Sequence, residues 1–127
     1  MGQRTYHLSA ATTMRDLKAH FIGLANPTRL AIIALLVDGE LSAAEIAREL
    51  KLSQPLLSWH LRVMRKGGLI ATRRRGREIS CGIDRDSIRA IQELFNQFID
   101  LPGAGTNPAP RRAAITETLN KETANAI

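Results

Sequence analysis

Between Lys51 and Arg77 the chain carries eight basic residues, Lys51, Arg62, Arg65, Lys66, Arg73, Arg74, Arg75 and Arg77, and no aspartate or glutamate. A solvated face normally mixes both signs of charge, whereas fixed cations without acids suit a polyanion. The formal net charge is +6, and this block holds all of the surplus: outside it, 10 basic residues stand against 12 acidic ones. Gln54 and Ser58, in the same block, both donate and accept hydrogen bonds, the chemistry that reads base edges rather than phosphates. Groups for covalent chemistry are another matter. No glycine-rich phosphate loop, nucleophile elbow or pair of carboxylates in a cleft is evident, so the sequence argues against an enzyme and calls for no cofactor.

These side chains need an element to aim them. Ser53 is a good N-cap and Pro55 falls in the first turn, where its missing amide hydrogen costs nothing, so SQPLLSWHLRVMRK predicts a helix. At about 100° per residue, Leu57, Leu61 and Met64 share one face with His60 beside them, while Gln54, Ser58, Arg62 and Arg65 lie together away from it. Gly67-Gly68 then ends the helix through a left-handed residue. Upstream, Ser42 and Glu45 form a capping box for a short helix through Leu50, with Ile46 and Leu50 inward. A tight Lys51-Leu52 turn joins the two into a helix-turn-helix. Downstream, LIATRR and REISCGI predict a hairpin about Arg75-Gly76, with arginines at its tip and Ile79, Cys81 and Ile83 alternating inward. A helix-turn-helix followed by a basic hairpin is a winged helix, with the second helix for the major groove and the wing for phosphates or the minor groove.

The scaffold follows from periodicity and caps. Met14, Leu17, Phe21 and Leu24 predict a first helix ending near Ala25. Asn26 caps a second, with Pro27 at its first position, and the apolar run LAIIALL ends at Asp38-Gly39. Asp84 caps a final helix whose Ile88, Ile91, Leu94, Phe95, Phe98 and Ile99 form a broad stripe ending before Pro102. That stripe is wider than one small domain covers, and a twofold dimer buries it. The fold class is mainly α with a small β-hairpin: five core helices in one domain over residues 14–101, preceded by an N-terminal extension, 1–13. Residues 102–127, beginning with the linker PGAGTNPAP, predict a flexible tail with at most a marginal helix around Ile115 to Leu119. No apolar run approaches the roughly 20 residues that span a bilayer, and MGQRTYHLSAATT lacks a secretory core, so a soluble, cytoplasmic protein with no membrane partner is expected.

ANPTRLAIIALL, then ELSAAEIARELKLSQPLLSWHLRVMRKGGLI and the basic hairpin, resembles the ArsR/SmtB winged-helix repressors over residues 14–100. The most specific element is the run Ser53, Gln54, Ser58, His60 and Leu61. The resemblance implies a homodimer built from the first helix (Met14, Leu17, Phe21) and the last (Ile91, Leu94, Phe95, Phe98). It further implies an inverted-repeat double-stranded DNA operator and repression relieved by an inducer. The sensing positions depart from the family's metal sensors. Ser42 and Ala44 stand where a cysteine pair would, which leaves no soft-metal site. At the spacing of the last-helix zinc site stand Asp84, Asp86, Gln97 and Asp100, without imidazoles, a weak donor set for zinc or nickel. An organic inducer, or an oxidant acting at Cys81, is the expectation.

The DNA-facing set is thus Ser53, Gln54, Ser58, Trp59, His60, Arg62, Arg65, Lys66, Arg73, Arg74, Arg75 and Arg77. Several members admit two roles. His60 either donates to a base or phosphate or holds structure from a buried position. Trp59 is bulkier than the family pattern leads one to expect, and is either a DNA contact or a lid on apolar surface. Cys81 is either a redox switch or a small core residue. His7 and His20 lack partners at ligand spacing. A winged helix used only to bind protein is the rival, because fold does not fix function.

Overall fold

The computed structural model describes residues 10–100, together with 113, 116, 117 and 119–121 of the C-terminal segment. Local capping chemistry divides the chain as its residue types dictate. Helix α1 (Ala10–Leu24) starts ahead of the expected Met14 boundary, with Thr13 already buried. The side chain of Asn26 then accepts from the amides of Thr28 and Arg29 at 2.9 and 3.2 Å, starting α2 (Pro27–Leu36) with proline in its first turn. Strand β1 (Leu41–Ser42) leads into α3 (Ala43–Leu50). The expected capping box is present there: Ser42 Oγ accepts from the Glu45 amide and the Glu45 carboxylate from the Ser42 amide, both at 3.1 Å.

Lys51, in the left-handed region at φ 54°, turns the chain into α4 (Gln54–Lys66), whose N-cap Ser53 accepts from the Leu56 amide at 3.3 Å. The helix ends as a glycine pair allows, but the left-handed residue is Gly68 (φ 68°); Gly67 sits at φ −80°. Gly67 is needed for a different reason. A Cβ there would lie 2.7 Å from the Ala19 carbonyl oxygen, so α1 crosses the end of α4 at backbone distance. His20 of α1, buried, donates from Nδ1 to the Gly67 carbonyl at 2.8 Å and pins that crossing.

Strands β2 (Ile70–Arg75) and β3 (Glu78–Ile83) form the wing, and α5 (Arg85–Asp100) follows, with Asp84 accepting from the backbone and side chain of Ser87. The hairpin turn is shifted by one residue from the expected position. Arg75 pairs with Glu78, leaving Gly76-Arg77 as the two-residue loop with Gly76 at φ 62°, the backbone that a tight hairpin demands of its first turn residue. A third strand was not expected: β1 pairs with β3, giving the antiparallel order β1-β3-β2.

The core is formed by Ile32 and Leu36 of α2, Ile46 of α3, Leu57, Leu61 and Met64 of α4, and Leu69, Ile70 and Cys81 of the wing base. The expected inward alternation of β3 holds at Cys81 but fails at Ile79, which is exposed because the hairpin has by then run past the core. Leu17, expected to face a second copy, is instead buried within this chain. The expected N-terminal extension falls outside the described residues up to position 9, His7 included, as do the linker and most of the tail. The described tail positions are helical, with Lys121 3.0 Å from Glu117.

Candidate nucleic-acid interface

The buried side of α4 consists of Leu57, His60, Leu61 and Met64. The rest of its circumference is an arc open to solvent, and 3.6 residues per turn orders it. Gln54, Ser58 and Arg65 lie on one edge, Pro55, Arg62 and Lys66 along the crest, and Leu56 and Trp59 on the other edge. The polar edge faces the wing. Gln54 and Ser58 line a groove of about 210 Å³ together with Ala43 and Ala44 of α3 and Arg77, Glu78 and Ile79 of the wing, so one acid stands beside its cation. Of the two positions without thiols, Ala44 is a small wall of this groove and Ser42 is the N-cap of α3.

The basic set does not act as one patch. Arg62, Arg74, Arg75 and Arg77 are exposed. Arg65 donates to Thr72 Oγ1 of β2 at 3.2 Å, and with Lys66 it lines a separate cavity of about 220 Å³ at the seam with α1 and α5, beside Asp16, Ile91 and Leu94. On the wing, an acid distant in sequence enters the acid-free block. Glu40 Oε2 accepts from Arg73 Nη2 at 2.7 Å and from Ser80 Oγ at 3.1 Å, and lies 3.7 Å from Arg75 Nη2. The Arg73 contact holds the Glu40 carboxyl below the usual carboxylate range. No local pattern announces Glu40, since its partners lie 33 to 40 residues away.

His60 is only 4% exposed, which removes it from the expected DNA contacts. Its Nδ1 lies 3.1 Å from Nη1 of Arg29, a buried arginine that also donates from Nε to the Gly23 carbonyl and from Nη2 to the Ile22 carbonyl. A guanidinium has no acceptor, so Nδ1 accepts and His60 is the neutral tautomer protonated at Nε2. Burial first, and then the Arg29 charge, lower its pKa. Sequence reasoning missed Arg29, although a signal was present: it precedes Ile32 by three residues and Leu36 by seven, on the buried face of α2. The Arg29 guanidinium also lies 5.6 Å from the centre of the Trp59 ring, which remains 50% exposed.

The sensing candidates are otherwise engaged. Cys81 is fully buried and burial pushes its thiol up, outweighing the opposing pull of Arg65, so a thiolate switch is disfavoured and the core role fits. Asp84 caps α5, Asp86 lies 3.7 Å from Arg89, and Gln97 donates to Glu93. Among the described residues no group of three His, Cys, Asp or Glu side chains is placed to hold a metal ion. No single helix among them is long and apolar enough to cross a membrane.

Away from the groove, α5 has no buried residue. Phe95 (38%) and Ile99 (57%) are exposed, while Ile91, Leu94 and Phe98 are half-buried. Phe21 of α1, also exposed, meets Phe95 edge to face at 5.5 Å, and Met14 is half-buried on the same helix. The expected dimer set, Leu17 apart, thus keeps solvent-accessible apolar surface.

Residues 24–73 match a helix-turn-helix domain family. The chain is 36% identical over 75 residues to the transcriptional activator HlyU of Vibrio cholerae, covering 59% of this chain and 69% of that protein. It is 37% identical over 76 residues to a biofilm growth-associated repressor of Agrobacterium fabrum, covering 59% and 65%. Among solved structures, HlyU from Vibrio cholerae aligns with a TM-score of 0.53 at 32% identity, over 65% of this chain and 90% of that one. An ArsR family transcriptional regulator aligns with a TM-score of 0.58 at 27% identity, over 68% and 89%. The homodimeric winged helix-turn-helix DNA-binding domain of a Mycobacterium bovis protein shares the fold, with a TM-score of 0.58 at 23% identity over 84% and 98%.

Proposed function

Because the chain belongs to the ArsR family of winged-helix transcriptional regulators, we propose that it is a cytoplasmic repressor that binds an inverted-repeat operator as a homodimer. The DNA-facing surface is the outer arc of α4, with Ser53, Gln54, Ser58, Trp59, Arg62, Arg65 and Lys66, and the wing, with Arg73, Arg74, Arg75 and Arg77. Residues 14–101 carry both DNA binding and pairing, and 102–127 form an appended segment. The observation that carries this reading is the groove in which Gln54 and Ser58 of α4 face Arg77 of the wing. It sets base-reading amides and hydroxyls beside a phosphate-binding cation.

Pairing is supported by the exposed Phe95 and Ile99 of α5, continuous with Phe21 of α1. Repression is proposed to be indifferent to zinc, nickel, cadmium and arsenite: Ser42 and Ala44 supply no thiolate, and the last-helix positions supply only oxygen and amide groups, those of Asp84, Asp86 and Gln97 engaged with Ser87, Arg89 and Glu93. A small organic inducer is the class that remains. Gel-shift titration of the chain's own promoter region against random duplex, at several salt concentrations, tests the reading. Preferential binding of the promoter supports it, and equal affinity for both overturns it.

A further inference from the structure

The edge of α4 opposite the groove is apolar and has no explained purpose. Leu56, 43% exposed, and Trp59, 50% exposed, are three residues apart, so they are neighbours in the first half of the helix. They sit in a field of cations, with Arg62 next to Trp59 on the crest. Exposed apolar side chains in a basic surface gain nothing from phosphates and are costly in water, unless the polyanion itself offers them apolar surface. In duplex DNA the major groove offers such surface at one group, the 5-methyl of thymine. Trp59 is also held in place. The Arg29 guanidinium lies 5.6 Å from its ring, and Arg29 is itself fixed by the Gly23 and Ile22 carbonyls and His60 Nδ1. The inner side of the indole rests on Arg29 and, at 5.0 Å between ring centres, on His60, while its other half stays open to solvent.

We propose that Leu56 and Trp59 form a second reading edge of α4, which packs against thymine methyl groups in the major groove, with Arg29 as the positioning residue behind it. The inference rests on the operator-binding reading above and adds the specificity of this edge. It makes α4 a two-sided reader: hydrogen bonding toward the wing at Gln54 and Ser58, and methyl-selecting toward α2 at Leu56 and Trp59.

The test begins with duplexes selected by the wild-type protein from a random library. The preferred one is resynthesised with single thymines replaced by deoxyuridine, which removes one methyl and keeps the pairing edge. At one or two positions per half-site, affinity should fall about fourfold, the effect of one buried carbon. That penalty should vanish in Trp59→Ala or in Leu56→Ser, giving a coupling in a double-mutant cycle. Leu56→Ser, at an exposed position, keeps the test valid if the tryptophan variant folds poorly. Equal affinity for every deoxyuridine duplex overturns the inference while leaving operator binding intact. So does a penalty unchanged in both variants, which would make the edge a lid or a protein contact. Selection that yields no preferred sequence overturns the operator reading and this inference with it.

Discussion

Helices α4 and α5 are both amphipathic, 13 and 16 residues long, yet α4 buries four side chains within this chain and α5 buries none. The difference separates two kinds of surface. The apolar face of α4 is satisfied by α1, α2, α3 and the wing base, so its outer arc is free to be shaped by what it reads. The apolar face of α5 is only partly covered within this chain, so its outer surface is shaped by what would complete the cover. Damage to α5 should therefore disturb assembly and everything that depends on it, whereas damage to the outer arc of α4 should disturb recognition alone.

The largest effect is expected where the comparison is starkest. Phe95→Asp puts a charge on the stripe of both copies of a twofold pair, so each loss counts twice. At about 1.5–3 kcal/mol for each large apolar side chain left uncovered, that is roughly 3–6 kcal/mol. Sedimentation velocity should show a monomer at micromolar concentration, with operator affinity lower by at least about 100-fold. A wild-type protein that already sediments as a monomer would erase the contrast between the helices.

Next is the support behind α4. Arg29→Met leaves His60 Nδ1 and the Gly23 and Ile22 carbonyls without their donor, at about 1–3 kcal/mol for each group left unsatisfied. The urea midpoint should fall accordingly, while the dimer persists. The same contact sets a pH dependence. His60 has a lowered pKa in the folded chain, so below about pH 6.5 the unfolded state binds the extra proton first. Stability is full above that value and declines as pH falls toward the folded pKa. Urea titrations between pH 7.5 and 5 should show the decline, and His60→Gln should flatten it.

Smaller still, and confined to recognition, are Gln54→Ala and Ser58→Ala. Each should cost about 1–3 kcal/mol on the preferred duplex and almost nothing on random DNA, with the salt dependence of binding unchanged. Equal losses on both duplexes would mean that the polar edge clamps phosphates and does not read bases.

What could be read from the sequence follows the range of the interaction. The caps at Asn26, Ser42 and Ser53 act within three residues, and periodicity within a helix, so the helix-turn-helix and the faces of α4 and α5 were legible. The pairing of the two-residue strand β1 with β3 was not, because nothing local marks a strand that short until its partner arrives from 40 residues away. Glu40 was hidden for the same reason, and the basic block looked uniform until the fold brought an acid onto it. The role of His60 was half legible: helical counting put it at the border of the apolar face, and only Arg29 from another helix decided the matter. Leu17 shows the converse, since its spacing matched the dimer stripe while its depth could not be counted from spacing.

The smallest expected effect concerns the wing, where Glu40 makes the arginines unequal. Exposed ion pairs contribute little to folding, so Glu40→Gln should leave the urea midpoint nearly unchanged. Its effect belongs to DNA. On the proposed interface, a phosphate would have to compete with the Glu40 carboxylate for Arg73 and, at longer range, for Arg75, whereas Arg77 at the turn is not within the reach of Glu40 seen for the other two. The carboxyl pKa is lowered, so this competition persists through the ordinary carboxylate range and is lost only as pH falls further, through the folded value. Glu40→Gln should raise affinity for random duplex and steepen the slope of log affinity against log salt by up to about 0.9 for each arginine that gains a phosphate. Replacing Arg75 and Arg77 together by alanine should make that slope shallower by a similar increment for each phosphate no longer neutralised, on operator and random DNA alike. Glu40 would then act as a brake on indiscriminate binding, leaving selection to α4. If Glu40→Gln leaves both the slope and the random-DNA affinity unchanged, Arg73 and Arg75 do not meet phosphates, and the wing contributes through Arg74 and Arg77 alone.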